Sequence, residues 1–138
     1  MTSPLPQRFV RMATTAIAAR RSWRVVLLLL LVVISALSVM PRPPASFDFG
    51  WDKLNHVLAF AALAFSASLG FPARRSSRIG APLALLAYGG LIELTQSWVP
   101  QRSGEWADLL ADGLGIACGV ILAVGVVRAV AALSRPRR

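Results

Sequence analysis

Four short groupings hold most of the ionisable side chains that fall inside or beside the apolar runs: Asp52, Lys53 and His56; Glu93 with Gln96; Arg102; and Asp108 with Asp112. Within them the spacing is helical. Asp52 and His56 are i, i+4, Glu93 and Gln96 are i, i+3, and Asp108, Asp112, Gly115 and Gly119 follow one stripe in a 4-3-4 progression. Carboxylates near a histidine offer general acid–base chemistry, with Glu93 and His56 as the candidate catalytic groups. Lys53 and Arg102 offer charge-assisted bonds to phosphate or carboxylate. Glu93, Asp108 and Asp112 are also the oxygen ligands that a hard divalent ion would take. Ser97 and Ser103 lie nearby, but neither stands in a G-x-S-x-G context, so no nucleophile–base–orienter set is evident. The single Cys118 has no partner for an internal disulfide, and one histidine gives no Cys/His cluster for structural zinc. The reading therefore assigns no metal and no cofactor.

The elements that must position these residues follow from composition. Of 138 residues, 56% are apolar, and mean hydropathy is +0.62. Four membrane spans of about 20 residues would use most of the chain and leave no room for an aqueous domain, which excludes most soluble-enzyme architectures. Four apolar runs are present, and no alternating strand pattern accompanies them. The expected architecture is an all-α polytopic membrane protein with four transmembrane helices near 23–40, 54–71, 79–99 and 107–130. A basic segment, 1–22, precedes them and a basic tail, 135–138, follows. The first run also has the three-part form of a secretory signal ending at Ala36-Leu37-Ser38. Its apolar core of 16 residues slightly exceeds a signal core and favours an uncleaved helix.

Charge alternates along the connections: +5 over residues 1–24, 0 over 41–53, +3 over 72–80, −1 over 100–108 and +4 over 128–138. Under the positive-inside rule, both termini and the Arg74-Arg75-Arg78 loop are expected in the cytoplasm of a bacterial inner membrane, with the other two loops outside. The net charge of +9 thus reads as a topology signal with some attraction to anionic membrane lipids, not as nucleic-acid binding. Trp23, Trp51, Trp98 and Trp106 fall at helix ends, as interfacial belt residues do. Asp48, Arg42 and Glu105 read as solvated loop charges and Asp52 as a helix cap.

Topology brings the polar residues to one depth. At about 1.5 Å per residue, Glu93 lies about 9 Å below the outer end of its helix, and His56 and Asp112 about 6 Å below theirs. Gly115-x-x-x-Gly119 lets the fourth helix approach its neighbours closely. A coherent arrangement turns Glu93, Asp108 and Asp112 inward around Arg102 and Lys53, with Arg102 as hub and with His56 and Gln96 completing the hydrogen bonds. The bland alternative is a polar clasp that only holds helices together. Glu93 weighs against it, since a purely structural helix would carry an apolar residue at that depth.

The series Asp52-Lys53-x-x-His56-x-x-x-Phe60, Glu93-x-x-Gln96, Pro100-x-Arg102 and Asp108-x-x-x-Asp112-x-x-Gly115 resembles the VanZ-like family of small bacterial membrane proteins over about residues 50–120. Asp112 departs from the pattern, which more often has asparagine there. The resemblance implies an envelope setting. The family's namesake is associated with low-level resistance to the glycopeptide teicoplanin, and its relatives have no settled biochemical activity. The leading expectation is a binding site formed by Lys53, His56, Glu93, Gln96, Arg102, Asp108 and Asp112 for an amphipathic ligand, a lipid-linked cell-wall intermediate or a glycopeptide. The alternatives are an intramembrane transferase or hydrolase acting on a lipid-linked substrate, and a structural partner in a membrane complex or oligomer.

Overall fold

The computed structural model describes residues 5–41, 52–71, 74–100 and 104–134. They form five helices, α1 (Leu5–Ala18), α2 (Arg20–Ser38), α3 (Asp52–Gly70), α4 (Arg75–Gln96) and α5 (Trp106–Leu133), with no strand among the described residues. The all-α expectation holds. Its four helices correspond to α2 to α5, while α1 occupies most of the stretch read as a basic leading segment. There, Phe9, Val10, Met12 and Ile17 interleave with Arg8 and Arg11, an amphipathic pattern that the charge had masked. Ala19 interrupts the helical path, and the Trp23 indole N–H donates to the Ala16 carbonyl at 2.9 Å across the break.

Among the described residues, three helices, not four, are long and apolar enough by themselves to cross a membrane: α2, α4 and α5. The exception, α3, carries Asp52, Lys53, Asn55 and His56 in its first turns and many small residues after them. Its position accounts for this composition. It packs most extensively against α5 and also against α2 and α4, burying Phe60, Leu63, Ala64, Ser66, Ala67, Leu69 and Gly70. The outward faces are the reverse of a soluble protein's: Leu28, Leu29 and Val32 on α2, Leu83 and Leu91 on α4, and Leu114, Ile121 and Leu122 on α5 are all exposed. Such faces suit lipid, where helices supply their own backbone hydrogen bonds.

Contacts fix the helix directions. Lys53 meets Asp108 and His56 meets Asp112, so α3 and α5 run parallel. Farther along, Gly115 faces the Val57 carbonyl and Gly119 that of Ala61, each so closely that a methyl group there would collide with the backbone oxygen. Small residues let the two backbones touch, the G-x-x-x-G effect expected of this stripe. By contrast, α2 and α4 run the other way. Arg24, at the start of α2, donates Nε–H to the Gly70 carbonyl at 2.8 Å and lies 5.2 Å from the Phe71 ring centre, closing the end of α3. Near the far end of α2, the Tyr88 hydroxyl donates to the Leu31 carbonyl at 3.2 Å and lies 2.8 Å from Ser35 Oγ. The result is an up-down-up-down bundle of α2 to α5, with α1 packed against α5.

This geometry makes glycine substitutions unequal. Gly119→Leu is expected to cost about 1–3 kcal/mol or more by forcing α5 off α3, whereas Gly125→Leu, with open space at that position, is expected to be nearly neutral. Thermal unfolding of both variants in detergent checks this, and equal melting of the two would contradict the close-packed seam.

Candidate functional site

One end of the bundle gathers the polar groups, where α4 stops and α3 and α5 begin. The opening turns of α3 supply Lys53 and His56, those of α5 supply Asp108 and Asp112, and the last turns of α4 supply Glu93 and Gln96. Asp108 sits in the first turn of α5, where the exposed N–H groups favour a carboxylate. Each helix turns its polar residues along its buried stripe: Leu85, Gly89, Ile92, Glu93 and Gln96 on α4, and Asp108, Ala111, Asp112, Gly115 and Gly119 on α5. The same inward stripe that packs the helices therefore carries the charges into the interior.

His56 is the hub. Its Nδ1–H donates to Asp112 Oδ1 at 2.8 Å, and its Nε2 faces Glu93 Oε1 at 3.7 Å. All three side chains are nearly sealed: 10% exposed for His56, 4% for Glu93 and none for Asp112. Glu93 Oε2 accepts the backbone N–H of Glu105 at 2.8 Å, which ties α4 to the residues entering α5. At the rim, half-exposed Lys53 donates to Asp108 Oδ1 at 3.1 Å and to Glu105 Oε2 at 3.2 Å. Contacts thus run from Glu105 and Asp108 through Lys53, and from Glu105 through Glu93 to His56 and Asp112.

Among the described residues, two buried oxygens of this layer have no hydrogen-bond partner, Glu93 Oε1 and Asp112 Oδ2. Asp112 Oδ2 lies against Gly89 of α4, so close that a methyl group at residue 89 would collide with it, beside the Phe60 ring. Gly104 has a similar function at the rim, letting the chain pass against the Glu93 carbonyl. Neither glycine stood out from sequence. The available signal for Gly89 was its i−4 position relative to Glu93, on the same face.

The expected hub, Arg102, lies outside the described residues, as do Trp51, Asp48, Arg42 and Ser103. Among the described residues, His56 meets carboxylates from both α4 and α5. Glu105 is exposed, as expected of a solvated loop charge, and in addition its side chain pairs with Lys53 and its N–H holds Glu93. Asp52 is exposed at the start of α3, with a carboxylate oxygen in the same group of possible ligand atoms as His56 and Asp108. Gln96 is buried as expected. Trp98 and Trp106 are exposed at the polar end, while Trp23 packs edge-on against Phe65 at the other.

Chemically, Asp112 fixes and orients an imidazole, which is the base–orienter half of an acid–base device. Among the described residues, the hydroxyls at the end of α4 do not complete it: Ser97 donates to the Leu94 carbonyl and Thr95 to that of Leu91. Because Asp112 and Gly89 fit so tightly, Gly89→Ala is expected to displace the carboxylate and lower stability by about 1–3 kcal/mol. Gly90→Ala, pointing into open space, is the matched control. Unfolding in detergent compares them, and indifference at both positions would sink the fit.

No curated protein and no solved structure matches the chain. A family model described as VanZ/LLP1 matches residues 2–128, nearly the full length and including α1. The match takes in α1 to α4, most of α5 and the polar residues around His56, and the chain belongs to the VanZ/LLP1 family.

Proposed function

We propose that the protein crosses a bacterial inner membrane four times, with both termini cytoplasmic, and uses its outward polar layer to bind the headgroup of an amphipathic envelope molecule. The alternating loop charges support that orientation. As the fourth span, α3 has 19 residues, about 28 Å of helix, close to the hydrocarbon thickness. Two of its polar side chains, Lys53 and His56, meet residues of α4 and α5.

The observation that carries the reading is the convergence of Lys53, His56, Glu93, Asp108 and Asp112 from three helices into one layer at one end. Ionisable groups at membrane depth are costly, and apolar residues would hold helices together more cheaply. Half-exposed Lys53 suits a phosphate at the rim, and the carboxylates suit sugar or peptide donors behind it. A lipid-linked cell-wall intermediate combines these groups with tails that would lie along the exposed apolar faces, and a lipophilic glycopeptide is the other candidate. The His56–Asp112 bond favours a second reading, an intramembrane transferase or hydrolase with His56 as base.

The test is thermal stability in detergent of wild type, Lys53→Ala, Arg102→Ala and Glu93→Gln, with and without lipid-linked wall precursor or glycopeptide. A ligand at a hundred times its Kd stabilises by about 2.7 kcal/mol, so wild type is expected to melt several degrees higher with its ligand. Lys53→Ala is expected to fold but lose that shift. Absence of any shift in wild type, with Glu93→Gln melting early, would make the layer a structural clasp. Product formation that disappears in His56→Gln would support the enzymatic reading.

A further inference from the structure

We propose that His56 Nε2 and Glu93 Oε1 are the protein ligands of a zinc-type divalent cation, with Asp112 as the carboxylate that orients the imidazole. The two ligand atoms stand 3.7 Å apart, too far for a hydrogen bond. A cation about 2.1 Å from each spans that gap with an angle near 120°, within the range of four- and five-coordinate zinc. Glu93 Oε1 is buried, has no hydrogen-bond partner and faces the ring. Its sister oxygen is already held by the Glu105 N–H, which fixes where Oε1 points.

The other side of the ring supplies an independent argument. A histidine that binds a metal generally donates its second ring N–H to a carboxylate, which sets the tautomer and raises the basicity of the ligating nitrogen. The 2.8 Å contact of His56 Nδ1 with Asp112 fits that arrangement, and Nε2 stands 3.7 Å from Glu93 Oε1 as the ring nitrogen left to ligate. His56, Glu93 and Asp112 each place a ligand atom within 4.8 Å of the others, and Asp52 and Asp108 form a second such group with His56. The local charge favours a cation as well. Among the described residues, the carboxylates of Glu93, Glu105, Asp108 and Asp112 surround only Lys53 and His56 as bases. One imidazole nitrogen with carboxylate oxygen suits zinc or manganese better than magnesium or calcium, which take all-oxygen shells. Two protein ligands leave the remaining coordination positions of a four- or five-coordinate ion to water or to an oxygen of a bound molecule. The site rests on these contacts alone, whether or not the layer takes a lipid-linked ligand.

His56 is the sole histidine of the chain, so ¹⁵N-histidine labelling of a protein purified without a polyhistidine tag reports on one ring. In detergent, titration with Zn²⁺ is expected to move the Nε2 resonance while Nδ1 stays protonated. Titration with ¹¹³Cd²⁺ is expected to split Nε2 by direct coupling, and equimolar Mg²⁺ to leave both nitrogens unchanged. Asp112→Asn, which keeps the volume, is expected to weaken zinc binding about 10–100-fold. Because the primary readout is on wild type, a variant that fails to fold does not affect it. An Nε2 resonance unmoved by millimolar Zn²⁺, coupling at Nδ1, or equal zinc stabilisation of wild type and folded His56→Gln would each overturn the proposal.

Discussion

The hydrogen bond between His56 and Asp112 is the constraint around which the polar end is organised. Asp112 is fully buried, and leaving a buried carboxylate without its partner costs on the order of 3–5 kcal/mol. Holding it requires α5 to lie against α3, which the glycines at 115 and 119 permit by bringing backbone onto backbone. It also requires space on the α4 side, which Gly89 provides. Glu93 then approaches the free side of the ring, and Glu105 ties Glu93 to the entry of α5. One short bond thus sets demands on three helices, and the small residues along their stripes meet those demands.

The two ends of the bundle are chemically opposed. At the polar end, carboxylates face inward and are sealed by packing, so their charge has to be answered within the protein. At the other end the arginines remain outside the core, and Arg24 turns back to close α3 through its terminal carbonyl. Between the ends the packing is apolar and made of small parts, with Phe60, Leu63, Leu27, Leu85 and Ile116 in one cluster. Outside it, leucine and valine face outward. The arrangement is inverted relative to a water-soluble bundle, because in lipid the apolar surface carries no penalty and the polar interior must be closed.

Much of this was legible in the sequence because membrane helices leave few polar residues to choose among. The groupings at 52–56, 93–96 and 108–112, their common depth and the Gly115/Gly119 stripe all follow from charge alternation and helical spacing. What the sequence concealed was partnership. Spacing places Glu93 on a face but does not tell which of Arg102, Lys53 or His56 it meets. In residues 5–18 the arginines lower the mean hydropathy, so that the apolar stripe between them shows only as helical periodicity. The weak hydropathy of α3 has a tertiary cause: a helix enclosed by three others can carry serine, alanine and asparagine that a lipid-facing helix would not favour. Gly89 was silent because its importance comes from an aspartate on another helix.

A double-mutant cycle on His56 and Asp112 tests the central claim most directly, with unfolding free energies of wild type, His56→Ala, Asp112→Ala and the double variant measured in mixed micelles. Interhelical hydrogen bonds in membranes average about 0.6 kcal/mol and reach about 1.7; a bond on which the layer depends should lie at the upper end, with a coupling above about 1 kcal/mol. Losses that add within about 0.3–0.5 kcal/mol, as for independent sites, would contradict it and leave the two side chains as neighbours without a shared role.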